Sequence, residues 1–243
     1  MRHLKQNQFS VKGNRGKRGK TCYLHSQGGF SLLELLVVVG IIALLSTASI
    51  VGLRSVASSR AVQDTASGIA GTVELARSIA MSQNTYVWLG IEQVNNLTNQ
   101  PTDVVVSLVR SIDGTADLTA ANLRPVNKLQ RYSNVQLADF SSSPPPASGP
   151  MSARSTSQSL MTSGSSTAIF NWPPTGGTPL HIFNNVLRFG PDGSVLLEGL
   201  TSYAMIEVGL QEANTPAVTD VSVGNIAAVQ VDGVTGRSRI FLP

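Results

Sequence analysis

Three sets of residues in this chain have types and spacings that could do chemistry. Glu34 is the only charge between Phe30 and Leu53. A carboxylate in so apolar a run needs a cationic partner, since a lone one costs at least about 2.5–3.5 kcal/mol in hydrocarbon. Arg237 and Arg239 stand two apart. On a strand that spacing sends both guanidinium groups to one face, where they could hold a phosphate. The third set is sparse: His3, His25, His181 and Cys22 are the only histidines and the only cysteine. Beyond residue 30 only His181 remains, so a His-based triad or a zinc site lacks clustered partners. No G-x-x-x-x-G-K-[ST] loop occurs, so ATP hydrolysis would have to come from a partner. No catalytic activity and no cofactor or metal is expected.

The charge is unevenly placed. Arg2, Lys5, Lys12, Arg15, Lys17, Arg18 and Lys20 precede the first acid, Glu34. They are seven of the 18 basic residues, and the other 11 face 14 acidic ones, a remainder of about −3. The basic character belongs to the N-terminal tail and does not argue for a nucleic-acid-binding body. One cysteine allows no intrachain disulfide, so cysteine usage says nothing of the compartment.

Behind the tail, Phe30 to Leu53 form an apolar run closed by Arg54. As a helix it would rise roughly 36 Å, enough for a bilayer core of about 30 Å. Positive charge before it, and none just after it, predicts a cytoplasmic N-terminus with the body across the membrane. A cleaved secretory signal has a shorter apolar region with a small-x-small site after it. Here the small pair, Gly28-Gly29, comes before the run. That order predicts a cut between tail and helix which keeps the helix; a plain signal anchor with an incidental Glu is the alternative.

Gly29-Phe30-Ser31-Leu32-Leu33-Glu34, continued by LLVVVGIIALL behind a basic leader, resembles the prepilin signal of type IV pilins and type II secretion pseudopilins. The resemblance implies that a prepilin peptidase cuts between Gly29 and Phe30 on the cytoplasmic face and N-methylates Phe30. It implies assembly with other pilin or pseudopilin subunits, an inner-membrane platform and an assembly ATPase, with membrane lipid around the helix beforehand. Many major pilins carry a Pro at the position of Val51; no Pro occurs here from Phe30 through Gln100. Before Arg54 the only positive group of the cut chain would be the Phe30 amine, which methylation leaves charged. Glu34 is therefore expected to pair with that amine, of a neighbouring subunit or its own.

Past Arg54, Val62, Ala66, Ile69, Ala70, Val73, Ala76 and Ala80 recur in steps of three and four. Arg60, Asp64, Glu74 and Arg77 fall on the other side. One helix from about Phe30 to Gln83 is expected, its later stripe buried on a globular head. The period then changes. Tyr86–Gln93, Val104–Ile112, a segment near Arg131–Leu137, His181–Phe189, Ser194–Glu198, Tyr203–Leu210, Ile226–Val231 and Arg237–Leu242 are expected strands. Asp113-Gly114, Pro191-Asp192-Gly193 and Asp232-Gly233 are turn signals, and the spacing of the five strands from His181 to Leu242 suggests an antiparallel meander. Residues 141–167 are Ser/Pro-rich with one charge, Arg154, and are expected to form a mobile surface loop. The fold class is thus α+β: a basic leader (1–29), a transmembrane and assembly helix (30–53), its amphipathic continuation (54–83) and a β-rich head (84–243).

VLRFGPDGSV (186–195) and VDGVTGRSRI (231–240) resemble the C-terminal hairpins of GspH/FimT-like minor pseudopilins. That resemblance points to a minor, secretion-type subunit. In FimT-like competence pilins a similar GR-x-R segment binds DNA, which makes Arg237 and Arg239 candidates for that role. The negative remainder of the chain argues against it.

Overall fold

The computed structural model describes residues 31–96, 98–140, 150–161, 170–174, 180–197, 203–213 and 224–242, and of 47–58 the helical backbone. Helix α1 spans Leu32–Gln83. The chain divides into two units, Met1–Thr47 and Ala48–Pro243. In the first, every described side chain from 31 to 46 is exposed, with apolar groups on all sides of the helix. Among the described residues no helix is long and apolar enough to cross a membrane. The side chains of the expected span 30–53 are described only from 31 to 46.

In the second unit the predicted stripe is the buried one. Val62, Ala66, Ile69, Ala70, Val73, Ala76 and Ala80 all lie in the main core. Small residues on this face let sheet side chains come close. Gly68 shows the limit, because a Cβ there would run into the Tyr132 ring. Burial raises the pKa of that tyrosine. Its hydroxyl donates to Gln130 Oε1 at 3.1 Å, as Thr72 Oγ1 does from the helix at 3.2 Å.

Two antiparallel sheets supply the rest of the core. The first contains β1 (Val87–Asn95), β2 (Pro101–Ser111), β3 (Leu123–Pro125) and β4 (Gln130–Ser133). The second receives β5 (Val135–Ala138) and β6 (Gln158–Ser159), while β7 (Phe170–Trp172) and β8 (His181–Phe183) pair as a separate hairpin. The remaining strands are β9 (Asn185–Phe189), β10 (Val195–Leu197), β11 (Met205–Glu212), β12 (Ile226–Asp232) and β13 (Ser238–Phe241). The first sheet has the order β10-β9-β1-β2-β3, with β4 also on β2; the second runs β13-β12-β11-β5, with β6 parallel to β11.

The expected strands largely exist, but their grouping differs from a single meander. Of the C-terminal strands β11, β12 and β13 succeed one another in that way, whereas β9 and β10 join β1 in the other sheet, where β1, β2 and β3 are themselves consecutive antiparallel neighbours. The segment near Arg131–Leu137 is two strands. Asn134, at φ 64, turns the chain so that β4 serves one sheet and β5 the other. Likewise the expected strand His181–Phe189 splits into β8 and β9.

The unbroken run Val104-Val105-Val106 also has a tertiary cause. Val104, Val106 and Leu108 face the helix core, whereas Val105 and Val109 face a second cluster with Trp88, Phe170 and Phe183. A strand covered on both faces has no reason to alternate. Gly90 lies under this cover: a Cβ there would meet the Phe183 ring at 2.6 Å and the Phe170 ring at 2.7 Å, the two rings being stacked 4.9 Å apart.

The Ser/Pro-rich stretch departs from its expectation. Its described part, 150–161, is folded against the second sheet: Met151 is buried on the outer face with Phe140 and Ala228, Gln158–Ser159 pairs with β11, and Leu160 is buried in the main core. The outer face is unusually polar and small, carrying Glu207, Gly209, Ala228 and Gln230. The single charge of the stretch answers the buried carboxylate: Arg154 Nη1 donates to Glu207 Oε1 at 3.0 Å, with both side chains under 4% exposed. Arg154 Nη2 donates to the Phe140 carbonyl at 3.3 Å, and the guanidinium lies over the Phe140 ring. Gln230 Nε2 donates to Glu207 Oε2 and to the Ser155 carbonyl, both at 2.8 Å, and its Oε1 accepts from Ser155 N–H at 3.1 Å. Residues 141–149 and 162–167 lie outside the described residues.

Stranding one member of a buried ion pair costs about 3–5 kcal/mol. Arg154→Leu is therefore expected to lower unfolding stability by about that much in denaturant titrations. Arg154→Leu with Glu207→Leu is expected to recover most of the loss. A double variant no better than the single one would mean that the pair does not hold the segment down.

Candidate functional site

Two places in the chain answer to the candidate residues, one at the start of α1 and one at the junction of the C-terminal hairpins. Gly29 and Phe30 lie outside the described residues. Ser31 stands immediately before α1 and caps it: its Oγ accepts from Glu34 N–H at 3.2 Å, and its carbonyl accepts from Leu35 N–H at 3.1 Å. Glu34 occupies the first turn, where a negative charge is favoured by the N–H ends of the helix. Ser-x-x-Glu ahead of an apolar run is a capping signature. The cap role of Ser31 could have been read from that pattern.

Glu34 is exposed and forms no ion pair among the described residues. Around it Leu32, Leu33, Leu35 and Leu36 are 61–83% exposed. The turn is capped and acidic, and its apolar side chains are unburied.

At the other place, turns from the two C-terminal motifs meet. A Cβ on Gly236 would collide with the carbonyl of Gly193, and one on Gly233 with the carbonyl of Tyr203. Gly193 and Gly236 both have positive φ, 83° and 66°, which glycine alone adopts at little cost. Val195 N–H donates to the Gly233 carbonyl at 2.8 Å and joins the hairpins directly. Asp192 and Asp232 cap their own turns. Asp192 has its pKa lowered by the Ser194 hydroxyl and N–H; Asp232 has its pKa lowered first by Thr235 N–H, with Arg239 adding attraction.

Helix α1 clamps this junction from its polar side. Arg77 Nε donates to the Thr235 carbonyl at 2.6 Å. Glu74 Oε1 accepts from both the N–H and the Oγ of Ser238, at 3.0 and 3.1 Å. Arg237 and Arg239 flank that serine and are exposed; only Arg239 lies within β13. Glu74 and Asp232 therefore place negative charge beside the arginine pair. His181 is a strand residue: its Nδ1 lies 2.8 Å from Glu92 Oε2. Among the described residues no three His, Cys, Asp or Glu side chains cluster in a way that could hold a metal ion.

Residues 24–50 match the family model described as the prokaryotic N-terminal methylation motif. No curated protein and no solved structure shows significant similarity to the chain. The match spans the Gly29-Phe30 junction and Glu34. It supports a type IV pilin-related protein, processed as a prepilin by its peptidase and assembled with other pilin subunits.

Hydrogen bonds to a charged group contribute about 1.5–3 kcal/mol when sheltered. The Glu74 side chain is half exposed, so about 1 kcal/mol is expected for the clamp. Glu74→Ala should speed amide exchange of Ser238 and the preceding turn several-fold while the β1–β2 amides stay protected. Unchanged exchange at Ser238 would mean that the clamp does not hold the hairpin.

Proposed function

We propose that this chain is a structural subunit of a type IV pilus-like or type II secretion pseudopilus filament, and within that class a minor pseudopilin of the GspH/FimT kind. The observation that carries the reading is the methylation-motif match over residues 24–50, with Glu34 in the capped first turn of α1 and no cation beside it among the described residues. The subunit has no catalytic role of its own. It waits in the inner membrane with its N-terminus cytoplasmic and its β head on the far side, lipid covering the apolar helix.

Cleavage at Gly29-Phe30 removes the basic tail and leaves a new amine four residues before Glu34. The amine of an adjacent subunit, or its own before assembly, neutralises the carboxylate. Because an unpaired charge in hydrocarbon is expensive, the pair favours one register between neighbouring helices and penalises others. The platform and its ATPase supply the work of extraction; the helix supplies the fit. The C-terminal hairpins support the minor-pseudopilin assignment, since both motifs meet in one helix-clamped junction.

Mass spectrometry of the processed protein is expected to show a chain beginning at N-methylated Phe30. An intact Met1, or a cut beyond the apolar run, would instead indicate a signal-anchored protein of other function. Glu34→Val should still be cleaved but should enter filaments at least about tenfold less; normal incorporation would remove the pairing role.

A second reading, a FimT-like minor pilin that takes up DNA, rests on the exposed pair Arg237 and Arg239. Glu74 and Asp232 beside them weaken it, since non-specific affinity depends on clustered positive charge. A mobility-shift titration at low salt is expected to give weak binding that does not change in Arg237→Ala/Arg239→Ala. Tight binding abolished in that variant would favour the DNA reading.

A further inference from the structure

The turn between β1 and β2 carries the chain's one N-x-[ST] triplet, Asn96-Leu97-Thr98. Such a triplet marks an amide that can accept a sugar when it stands in a surface loop of an exported protein and no Pro follows the Asn. Here Leu follows, and Asn96 and Thr98 are both exposed. The turn is held at its base, where Asn95 pairs with Pro101 across the hairpin.

The side-chain bonds divide the Asn96 amide into a used half and an unused half. Its Oδ1 accepts from Thr98 Oγ1 at 2.6 Å and from the N–H groups of Thr98 and Gln100, both at 2.9 Å. The backbone closes the same turn: Asn96 N–H donates to the Gln100 carbonyl at 2.8 Å, and Asn99 N–H donates to the Asn96 carbonyl at 2.9 Å. Asn96 Nδ2 bonds no described residue. A side chain needed only to cap the turn would require no nitrogen. Elsewhere the chain caps such turns with Asp: Asp113, Asp117 and Asp192 each accept from the N–H and hydroxyl of the Thr or Ser two residues on. Only at Asn96 does the same cap leave an amide nitrogen facing outward.

An amide nitrogen is a weak nucleophile, because its lone pair is shared with the carbonyl. Donors fixed on Oδ1 favour the charge that gathers on that oxygen as the nitrogen gives up a proton. The turn also has a direction. β1 leaves α1 at Thr85, whose N–H bonds the Ala80 carbonyl. Farther along, Gln93 pairs with Val104 and Val104 with Tyr132, whose ring lies against Gly68. The strand thus runs back along the helix, and its turn points towards the helix's N-terminal end.

We propose that Asn96 is a glycosylation site whose Nδ2 accepts a glycan from a lipid-linked glycosyl diphosphate. The bond from Nδ2 to C1 of the first sugar forms as the bond from C1 to the diphosphate oxygen breaks. The lipid diphosphate leaves with the electron pair, and one Nδ2 proton passes to a base of the transferase. Thr98 is a positioning residue that acts through Oδ1. The choice of a lipid-linked donor rests on the filament reading, which puts this end of the head towards the membrane; the acceptor itself does not.

The test is mass spectrometry of the full chain purified from the cells that make it. Trypsin cuts after Arg77 and Arg110 and releases Ser78–Arg110 with the whole turn. That peptide is expected to be heavier by one or more sugar residues, which electron-transfer fragmentation places on Asn96. Asn96→Asp keeps the oxygen cap and removes the nitrogen, so the added mass should vanish from a folded chain. It should vanish in Thr98→Val and persist in Thr98→Ser, which keeps the hydroxyl. An unmodified peptide in the natural chain, sugar on another residue, or added mass that survives Thr98→Val would each overturn the proposal. The same spectra read the N-terminus separately: a bare peptide in a chain that starts at N-methylated Phe30 removes the glycan and leaves the filament reading standing.

Discussion

Everything ordered in the second unit depends on one strip of small side chains. Val62, Ala66, Ile69, Val73, Ala76 and Ala80 are essentially inaccessible to solvent, and both sheets deliver their inner faces to them. Alanine on this strip serves closeness. Each methyl buries little area itself, but it admits Leu, Ile, Val and Phe side chains from the strands, each worth about 1.5–3 kcal/mol when fully buried. Larger residues there would force the sheets outward, and overpacking a close-packed core costs about 1–3 kcal/mol. The sheets would lose their common floor.

Given that floor, the outer faces still have to be closed, and they are closed by different means. Over the first sheet the stacked Phe170 and Phe183 sit on Gly90, an apolar lid on a glycine step. Over the second sheet a polar face is closed by a polar partner: Arg154 meets Glu207, and Gln230 ties both to the backbone at Ser155. Buried polar groups are tolerable only when satisfied. A stretch that looks like filler by composition thus supplies the one guanidinium that the sheet needs.

The same helix serves two environments along its length. Its exposed early turns are apolar on every side, while its later turns bury one stripe and use the opposite face for contacts. Glu74 and Arg77 are on that opposite face, and they reach the β12–β13 turn rather than solvent alone. They also set the electrostatic setting of Arg237 and Arg239. A pair that reads as free cations in one dimension has carboxylates beside it in three.

The sequence alone determined the features that local period and local chemistry specify. The helical stripe, the turns at Asp192-Gly193 and Asp232-Gly233, and the dense signal around Gly29, Phe30 and Glu34 depend on neighbours within a few residues, so spacing suffices to read them. The Ser31 cap belongs to the same class. Only the tertiary structure decided which strands share a sheet, because pairing between distant strands is set by how their faces fit a common core. The switch at Asn134 between β4 and β5, the burial of Arg154 and the meeting of the two glycine turns all join residues far apart in the chain. Their partners are chosen by packing and by the need to satisfy buried charge, and neither leaves a period in the sequence.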